Sequence, residues 1–111
     1  MAMEAAIRAI AEPRRREILR LVWDAELAAG EIASHFDVTR PAISQHLRVL
    51  KGARLLAERR QGTRRLYRAR PETIAELRAF LETFWDEGLT RLKGAAELEE
   101  RRTAEHGHDG G

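Results

Sequence analysis

Residues 38–52 read VTRPAISQHLRVLKG and carry the clearest structural signal in the chain. Thr39 is a residue type that caps helices and Pro41 suits a first helical turn, so the two predict that a helix begins here. Apolar residues then recur at a spacing of four and three positions, which puts them on one face of the helix: Ile43, Leu47 and Leu50. The stretch therefore predicts a helix over about residues 39–51, which Gly52 can end.

A shorter helix is predicted just before this one, over residues 30–36, with Ile32, Ala33 and Phe36 facing inward. Asp37 and Val38 then predict a tight turn, since Asp tolerates the left-handed conformation. A short helix, a tight turn and a second helix with a buried stripe together make a helix-turn-helix.

Two short strands follow the second helix. Residues 55–60 and 64–69 flank Gln61-Gly62-Thr63, and a glycine beside a polar residue between two such runs is typical of a β-hairpin. Leu66 and Tyr67 are expected on opposite faces of the second strand. A hairpin over about residues 56–69, directly after a helix-turn-helix, predicts a wing.

Helices are also predicted on both sides of this region. Residues 3–11 form the first, Pro13 opens a second that ends near residues 24–26, and Pro71 opens a last helix that runs to about Glu100. The predicted class is mainly α with a small β-hairpin, in the order α-α-α-α-β-β-α. We expect one domain over residues 1–100 and a flexible polar tail over 101–111.

The charge of the chain is strongly uneven. The net charge is only +2, but residues 40–70 contain ten basic side chains and one acid, Glu58. A local excess of +9 predicts a polyanion partner for the middle of the chain.

The composition excludes several other classes of protein. The absence of Cys removes disulfides, thiolate nucleophiles and cysteine-ligated metal sites together. No nucleophile–base pair, phosphate loop or metal triad is apparent, so we expect no enzyme, no catalytic residue and no cofactor. No apolar run reaches membrane-spanning length and no secretion signal is present, so we expect no membrane partner and a cytoplasmic location.

The sequence resembles the ArsR-type winged helix-turn-helix transcriptional repressors of bacteria, over roughly residues 4–95. The resemblance rests on Glu12-Pro13-Arg14-Arg15 before Ile18-Leu19, on Glu31-Ile32-Ala33, on residues 38–50 and on residues 59–67. It implies a homodimer that binds an imperfect palindromic operator in double-stranded DNA, with binding weakened by an effector in many members.

The resemblance is to members of that family that lack metal sites. Residues 72–100 contain no His, and the chain has no Cys, so the metal ligands of the metal-sensing members are missing. Residues 84–93, FWDEGLTRLK, are similar to a pattern in the last helix of the metal-independent members. We therefore assign no metal site.

In a helix-turn-helix the second helix reads base edges in the major groove, and a wing reaches the backbone or the minor groove. We predict that Gln45 can read adenine and that Arg40 and Arg48 can read guanine. For Thr39 helix capping is the favoured role, and His46 is interpreted as a partly buried or phosphate-facing side chain. The predicted DNA-binding residues are Arg14, Arg15, Thr39, Arg40, Ser44, Gln45, Arg48, Arg60, Arg64 and Arg65.

The last helix carries more large apolar residues than a domain of this size can cover, which predicts a dimer surface. The predicted interface is formed by Ile7, Ile10, Leu77, Phe80, Leu81, Phe84, Trp85 and Leu89. Two alternatives stay open: an unknown metal or small-molecule effector that switches the same scaffold, and metal binding by His106 and His108 in the tail.

Overall fold

A computed structural model describes residues 3–106, and their side chains up to residue 103. The elements are α1 (Met3–Ile10), α2 (Pro13–Leu21), β1 (Leu27–Ala28), α3 (Ala29–Ala33), α4 (Arg40–Gly52), β2 (Leu56–Gln61), β3 (Arg64–Ala69) and α5 (Pro71–His106). This order confirms the predicted class. The chain divides into two compact units, one ending at Leu77 and the other beginning at Arg78.

The core of the first unit is built around the stripe of α4. Ile43 and Leu50 are completely buried and Leu47 is nearly so, as their spacing predicts. Burial of each such side chain contributes about 1.5–3 kcal/mol. They share the core with residues of every neighbouring element, among them Ala6, Ile18, Val22, Ile32, Leu55, Leu56 and Leu77.

Capping side chains and prolines determine where α2 and α4 begin. The Glu12 carboxylate accepts a hydrogen bond from the Arg14 backbone N–H at 2.9 Å, and Pro13 is the first residue of α2. The Thr39 hydroxyl accepts from the backbone N–H of Ala42 at 3.3 Å, which confirms its predicted capping role. The α2 helix ends at Leu21, before the predicted end near residues 24–26.

The wing contains a strand that was not predicted from the sequence. The sheet has the order β1-β3-β2, because the two residues of β1 pair antiparallel with β3, Leu27 opposite Tyr67 and Ala28 opposite Leu66. The β3 strand is therefore central. Leu66 and Tyr67 point to opposite faces, as predicted, and both are buried.

The hairpin itself turns at Gly62 and Thr63, because Gln61 pairs with Arg64. Gly62 has a φ of +62°, which a residue without a Cβ adopts at little cost. Glycine at the first of two turn residues is typical of a type II′ turn, whose twist matches that of the strands.

The end of α4 differs from the prediction that Gly52 terminates the helix. Gly52 is still helical, and the left-handed residue is Arg54, with a φ of 64°. The Leu55 N–H donates to the Leu50 carbonyl at 3.0 Å, and the Arg54 N–H donates to the Lys51 carbonyl at 2.9 Å. These two bonds form a Schellman motif, which satisfies carbonyls at the end of the helix.

The last helix also ends later than predicted. It runs to His106 rather than to about Glu100, so residues 101–106 of the expected flexible tail are helical. Residues 107–111, with the suggested metal ligand His108, lie outside the described residues. In the part of the chain that is described, no helix is long and apolar enough to cross a membrane.

Arg54 offers a direct test of the helix-ending motif. Left-handed backbone costs an L-residue about 1–2 kcal/mol, and the strain is largest for a β-branched side chain. We expect Arg54→Val to be less stable than Arg54→Gly by about 1 kcal/mol, after allowance for the greater unfolded-state entropy of glycine. Both variants lose the same side chain, so each controls for the other. Equal midpoints in urea denaturation would contradict the assignment.

Candidate nucleic-acid interface

The outer face of α4 is polar because its apolar stripe is buried. Ser44, Gln45 and Arg48 are exposed on this face, and His46 is partly buried beside it. An Arg48 guanidinium N–H donates to the Gln45 side-chain oxygen at 2.8 Å. Two of the three side chains that were predicted to read bases are therefore hydrogen-bonded to each other in the free protein.

The tip of the wing places two arginines directly opposite each other. Arg60 of β2 pairs with Arg65 of β3, so both side chains lie on the same face of the hairpin. Like charges in opposite positions destabilise a hairpin. An anion bound at this face would offset the repulsion between the two guanidinium groups.

The α4 helix and the wing line common grooves. A groove of about 590 Å³ lies among α3, α4 and the wing, and a second of about 260 Å³ lies between α4 and β2–β3. Ser44 and Arg65 line both. The structure thus brings together five of the predicted DNA-binding residues from separate parts of the chain: Arg40, Ser44, Arg48, Arg64 and Arg65.

Glu58 connects α4 to the wing. Its carboxylate accepts a hydrogen bond from the Lys51 ammonium at 2.9 Å and another from the Tyr67 hydroxyl at 3.0 Å, and Arg65 lies 3.9 Å away. The Lys51 hydrogen bond holds the pKa of Glu58 below its usual value, against the opposing effect of burial, and Tyr67 adds to the lowering. The one acid of the basic segment thus links its two halves.

Two further acids reach the wing from outside the basic segment. Glu26 pairs with the Arg59 guanidinium through two hydrogen bonds of 2.9 and 2.7 Å. Glu31 accepts from Arg64 at 2.7 Å and also from the Ala28 backbone N–H at 2.8 Å. Both acids lie close to β1 in the sequence. Because β1 was not predicted, these ion pairs were not predicted either.

These pairs divide the basic segment into two sets. Lys51, Arg59, Arg64, Arg65 and Arg70 have a carboxylate within ion-pair distance. Within the described side chains no such partner is found for the other five, which are Arg40, Arg48, Arg54, Arg60 and Arg68. Half of the local positive charge is therefore available without breaking an ion pair.

Arg14 and Arg15, both predicted to contact phosphate, make internal contacts in the free protein. The Arg14 guanidinium stacks over the Phe36 ring at 5.1 Å from its centroid. The Arg15 guanidinium donates to the Ala9 carbonyl at 2.7 Å and contacts Nδ1 of His46 at 3.3 Å. Internal contacts thus hold both guanidinium groups in the free protein, and those of Arg15 extend to α1 and α4.

The described side chains form no candidate metal centre. Over residues 3–103, no three or more His, Asp or Glu side chains are grouped so that they could hold a metal ion.

The geometry of helix and wing agrees with comparisons to known proteins. Residues 12–58 match the model of the bacterial regulatory protein, arsR family. The HTH-type transcriptional regulator Rv2034 of Mycobacterium tuberculosis is 46% identical over 87 residues, which are 78% of this chain and 81% of that protein. The chain belongs to the ArsR family. Members of this family are DNA-binding transcriptional regulators rather than enzymes.

Two further similar proteins extend the comparison. The transcriptional repressor SdpR of Bacillus subtilis is 42% identical over 60 residues, 54% of this chain and 67% of that protein. The solution structure of the homodimeric winged helix-turn-helix domain Mb0332 from Mycobacterium bovis aligns with a TM-score of 0.63 and 34% identity. That alignment covers 78% of this chain and 80% of the domain.

The Glu58 link predicts a pH-dependent stability. Because the pKa of Glu58 is lowered in the folded state, its ionised form contributes stability that is present at neutral pH and lost as the pH falls through that lowered pKa. We expect Glu58→Gln to be less stable than the wild type at pH 7. This difference in stability should shrink as the pH falls below 4.5, the ordinary pKa of a glutamate side chain. Thermal unfolding at several pH values measures this.

Glu82→Gln is the matched control, because Glu82 pairs with Arg78 on an exposed helix surface at 2.8 Å. Exposed pairs of this kind contribute about 0.3–0.5 kcal/mol. A Glu58→Gln difference that does not change with pH would contradict the role assigned to Glu58.

Proposed function

We propose that this ArsR-family protein is a homodimeric transcriptional repressor that binds an imperfect palindromic operator. The recognition helix α4 enters the major groove, and the wing lies on the minor groove. The observation that carries the proposal is the common surface formed by the exposed side of α4 and the arginines of the wing. DNA binding and dimerisation are assigned to residues 1–100, and the site of action is the bacterial cytoplasm.

The exposed side of α4 supplies the groups for base reading. Gln45 presents an amide that matches adenine, and Arg40 and Arg48 present guanidinium groups that match guanine. Ser44 is short enough to reach a base or a phosphate. The Arg48–Gln45 hydrogen bond of the free protein is exchanged for contacts with bases, so part of the interaction energy is spent in separating the pair.

The wing supplies contacts with the backbone and the minor groove. Arg60, Arg64 and Arg65 are exposed around the Gly62 turn. A narrow minor groove has an enhanced negative potential that attracts arginine. Bound phosphate also relieves the repulsion between the opposed Arg60 and Arg65, so the wing is stabilised by the ligand that it binds.

We place the dimer interface on the exposed apolar face of α5 in the second unit, which begins at Arg78. Large apolar side chains lie along α5 from residue 80 onwards, and many are more than half exposed: Phe84 59%, Trp85 64%, Leu89 54%, Leu92 68% and Leu98 60%. An apolar surface of this kind marks an interface. Gly88 lies within the stripe, and a Cβ there would meet nothing within 4 Å, so a second helix can approach closely.

The earlier interface prediction needs one change. Phe80, Leu81, Phe84, Trp85 and Leu89 remain exposed and stay in the proposed interface. Ile7 and Ile10 are partly buried against the core and also remain. Leu77 is only 6% exposed and belongs to the core of the first unit, so we remove it.

A two-fold dimer explains the palindrome. Two symmetric copies of α4 placed one turn of DNA apart, about 34–36 Å, read inverted half-sites. The relative Mb0332 is described as homodimeric, and SdpR is described as a repressor. The proposal extends both descriptions to this chain, and it does not depend on an effector.

DNA binding is tested by footprinting on the DNA upstream of the protein's own gene, followed by titration of the protected duplex. Gln45→Ala should cost about 1–3 kcal/mol on that duplex and little on an unrelated one, because it removes a base contact. Arg60→Ala should weaken both duplexes alike and lower the salt slope by about one, because it removes a phosphate contact.

Arg101→Ala removes the same charge from the end of α5 and is the control for Arg60→Ala. We expect it to bind both duplexes as the wild type does. The absence of any protected region would refute the proposed function, and increased rather than reduced expression of a reporter behind the protected site would refute the repressor assignment.

The dimer is tested by Trp85→Glu. A buried Trp at an interface is often worth at least about 2 kcal/mol, and a carboxylate in its place is desolvated without a partner. We expect a monomer by gel filtration with light scattering, together with loss of operator binding. Trp23→Glu is the control, since Trp23 is 54% exposed but lies outside α5. A Trp85→Glu variant that remains dimeric would contradict the assignment.

A further inference from the structure

Arg15 has a role that the proposed DNA contacts do not use. Its guanidinium contacts two other helices at once: it donates to the Ala9 carbonyl of α1 at 2.7 Å and to the Arg8 carbonyl at 3.4 Å, and it reaches His46 of α4 at 3.3 Å. Arg15 itself belongs to the first turn of α2. One side chain therefore joins three helices.

The contact with α1 has a clear physical basis. The last carbonyls of a helix have no partner within the helix, and they attract positive charge. The break at Glu12 and Pro13 reverses the chain, so the arginines that open α2 reach back to these carbonyls. Arg16 does so as well, with hydrogen bonds to Ile10 at 2.6 Å and to Ala11 at 3.2 Å.

The contact with α4 distinguishes Arg15 from Arg16. A guanidinium carries donors only, so Nδ1 of His46 accepts and the imidazole is neutral with its proton on Nε2. No contact between Arg16 and α4 is present among the hydrogen bonds of residues 3–103. The chain thus contains two neighbouring arginines that cap the same helix, of which only Arg15 extends to the recognition helix.

His46 occupies a sensitive position on α4. It directly follows Ser44 and Gln45, which are exposed, and precedes Leu47, which is buried. A contact at His46 therefore limits rotation of α4 about its axis, and this rotation determines which base edges Gln45 meets. Misplacing a hydrogen-bonding group by about an ångström is enough to lose a directional contact.

We propose that Arg15 is a positioning residue for DNA recognition: it fixes α4 against α1 through His46 and makes no contact with DNA itself. This inference rests on the proposed function. It assigns to Arg15 a part in sequence discrimination, whereas a phosphate contact would contribute to affinity for any sequence.

The test compares Arg15→Gln and Arg15→Lys with the control Arg16→Gln. A lysine keeps the charge but cannot reach three acceptors in the planar geometry of a guanidinium. If Arg15 positions α4, both Arg15 variants lose about tenfold in affinity for the protected duplex, the value expected for one charge-assisted hydrogen bond. Their affinity for an unrelated duplex and their salt slope stay at the wild-type values, and Arg16→Gln behaves as the wild type on both.

The result that would overturn the inference is equally clear. An Arg15→Gln variant that loses affinity for both duplexes alike, with a salt slope lowered by about one, would show a phosphate contact. In that case Arg15→Lys would retain most of the binding. Wild-type protein that binds neither duplex would overturn the proposed function, and the positioning role with it.

A second measurement tests the contact without DNA. Burial lowers the pKa of His46, Arg15 and Arg14 lower it further, and Glu12 opposes them; these are the charged groups that face the imidazole. An NMR titration should therefore show a higher His46 pKa in Arg15→Gln than in the wild type or in Arg16→Gln. An unchanged His46 pKa would overturn the positioning role of Arg15 but not the proposed function. The NMR spectrum also shows whether each variant is folded, so a variant that merely fails to fold is recognised.

The link is finally tested by a double-mutant cycle. If Arg15 acts through His46, Arg15→Gln should cost no further operator affinity in a His46→Gln background, because the contact is already missing. Additive losses from the two substitutions would contradict a shared role.

Discussion

Burial of one apolar stripe determines the orientation of the surface that we propose meets DNA. Ile43, Leu47 and Leu50 cannot leave the core without a loss of several kcal/mol, so α4 has one favourable rotation about its axis. Every group proposed to read bases is exposed as a consequence of that constraint. The hydrophobic effect is not directional, however, and a smooth stripe permits small rotations. Directional contacts at the rim of the helix, with Glu58 on one side and Arg15 on the other, supply the finer restraint.

The wing also depends on buried residues that lie away from its exposed charges. A two-stranded hairpin is marginally stable alone, and this one carries opposed arginines at its tip. Its stability comes from its base, where Leu56, Tyr67 and Ala69 are buried, and from β1, which makes β3 a central strand. The tip is thereby free to carry charge that the hairpin by itself could not tolerate. The opposed arginines thus lie at the end of the hairpin, where the proposed contact with DNA would offset their repulsion.

Much of this fold could be predicted from the sequence because its signals are local. Thr39, Pro13 and Pro71 mark the starts of helices, and Gly62 marks the hairpin turn. The β1 strand could not be predicted, since two residues show no periodicity and their pairing depends on a strand that lies far along the chain. The end of α4 was misassigned for a related reason: the Schellman hydrogen bonds impose the left-handed conformation on Arg54, although Gly52 is nearby.

The candidate site was predictable in composition but not in its internal contacts. Arginines on α4 and the wing were evident, whereas the partners Glu26, Glu31 and His46 are distant in sequence and become visible only in three dimensions.

The carboxylate partners of the wing arginines have a consequence for how the protein binds DNA. An arginine that leaves its carboxylate to contact a phosphate releases cations from the DNA, but the freed carboxylate attracts cations in turn, so few solvent ions are freed overall. The basic segment should thus contribute to DNA binding in two ways. Contacts made by its unpaired arginines weaken as the ionic strength of the cell rises, whereas contacts made by its paired arginines depend little on it.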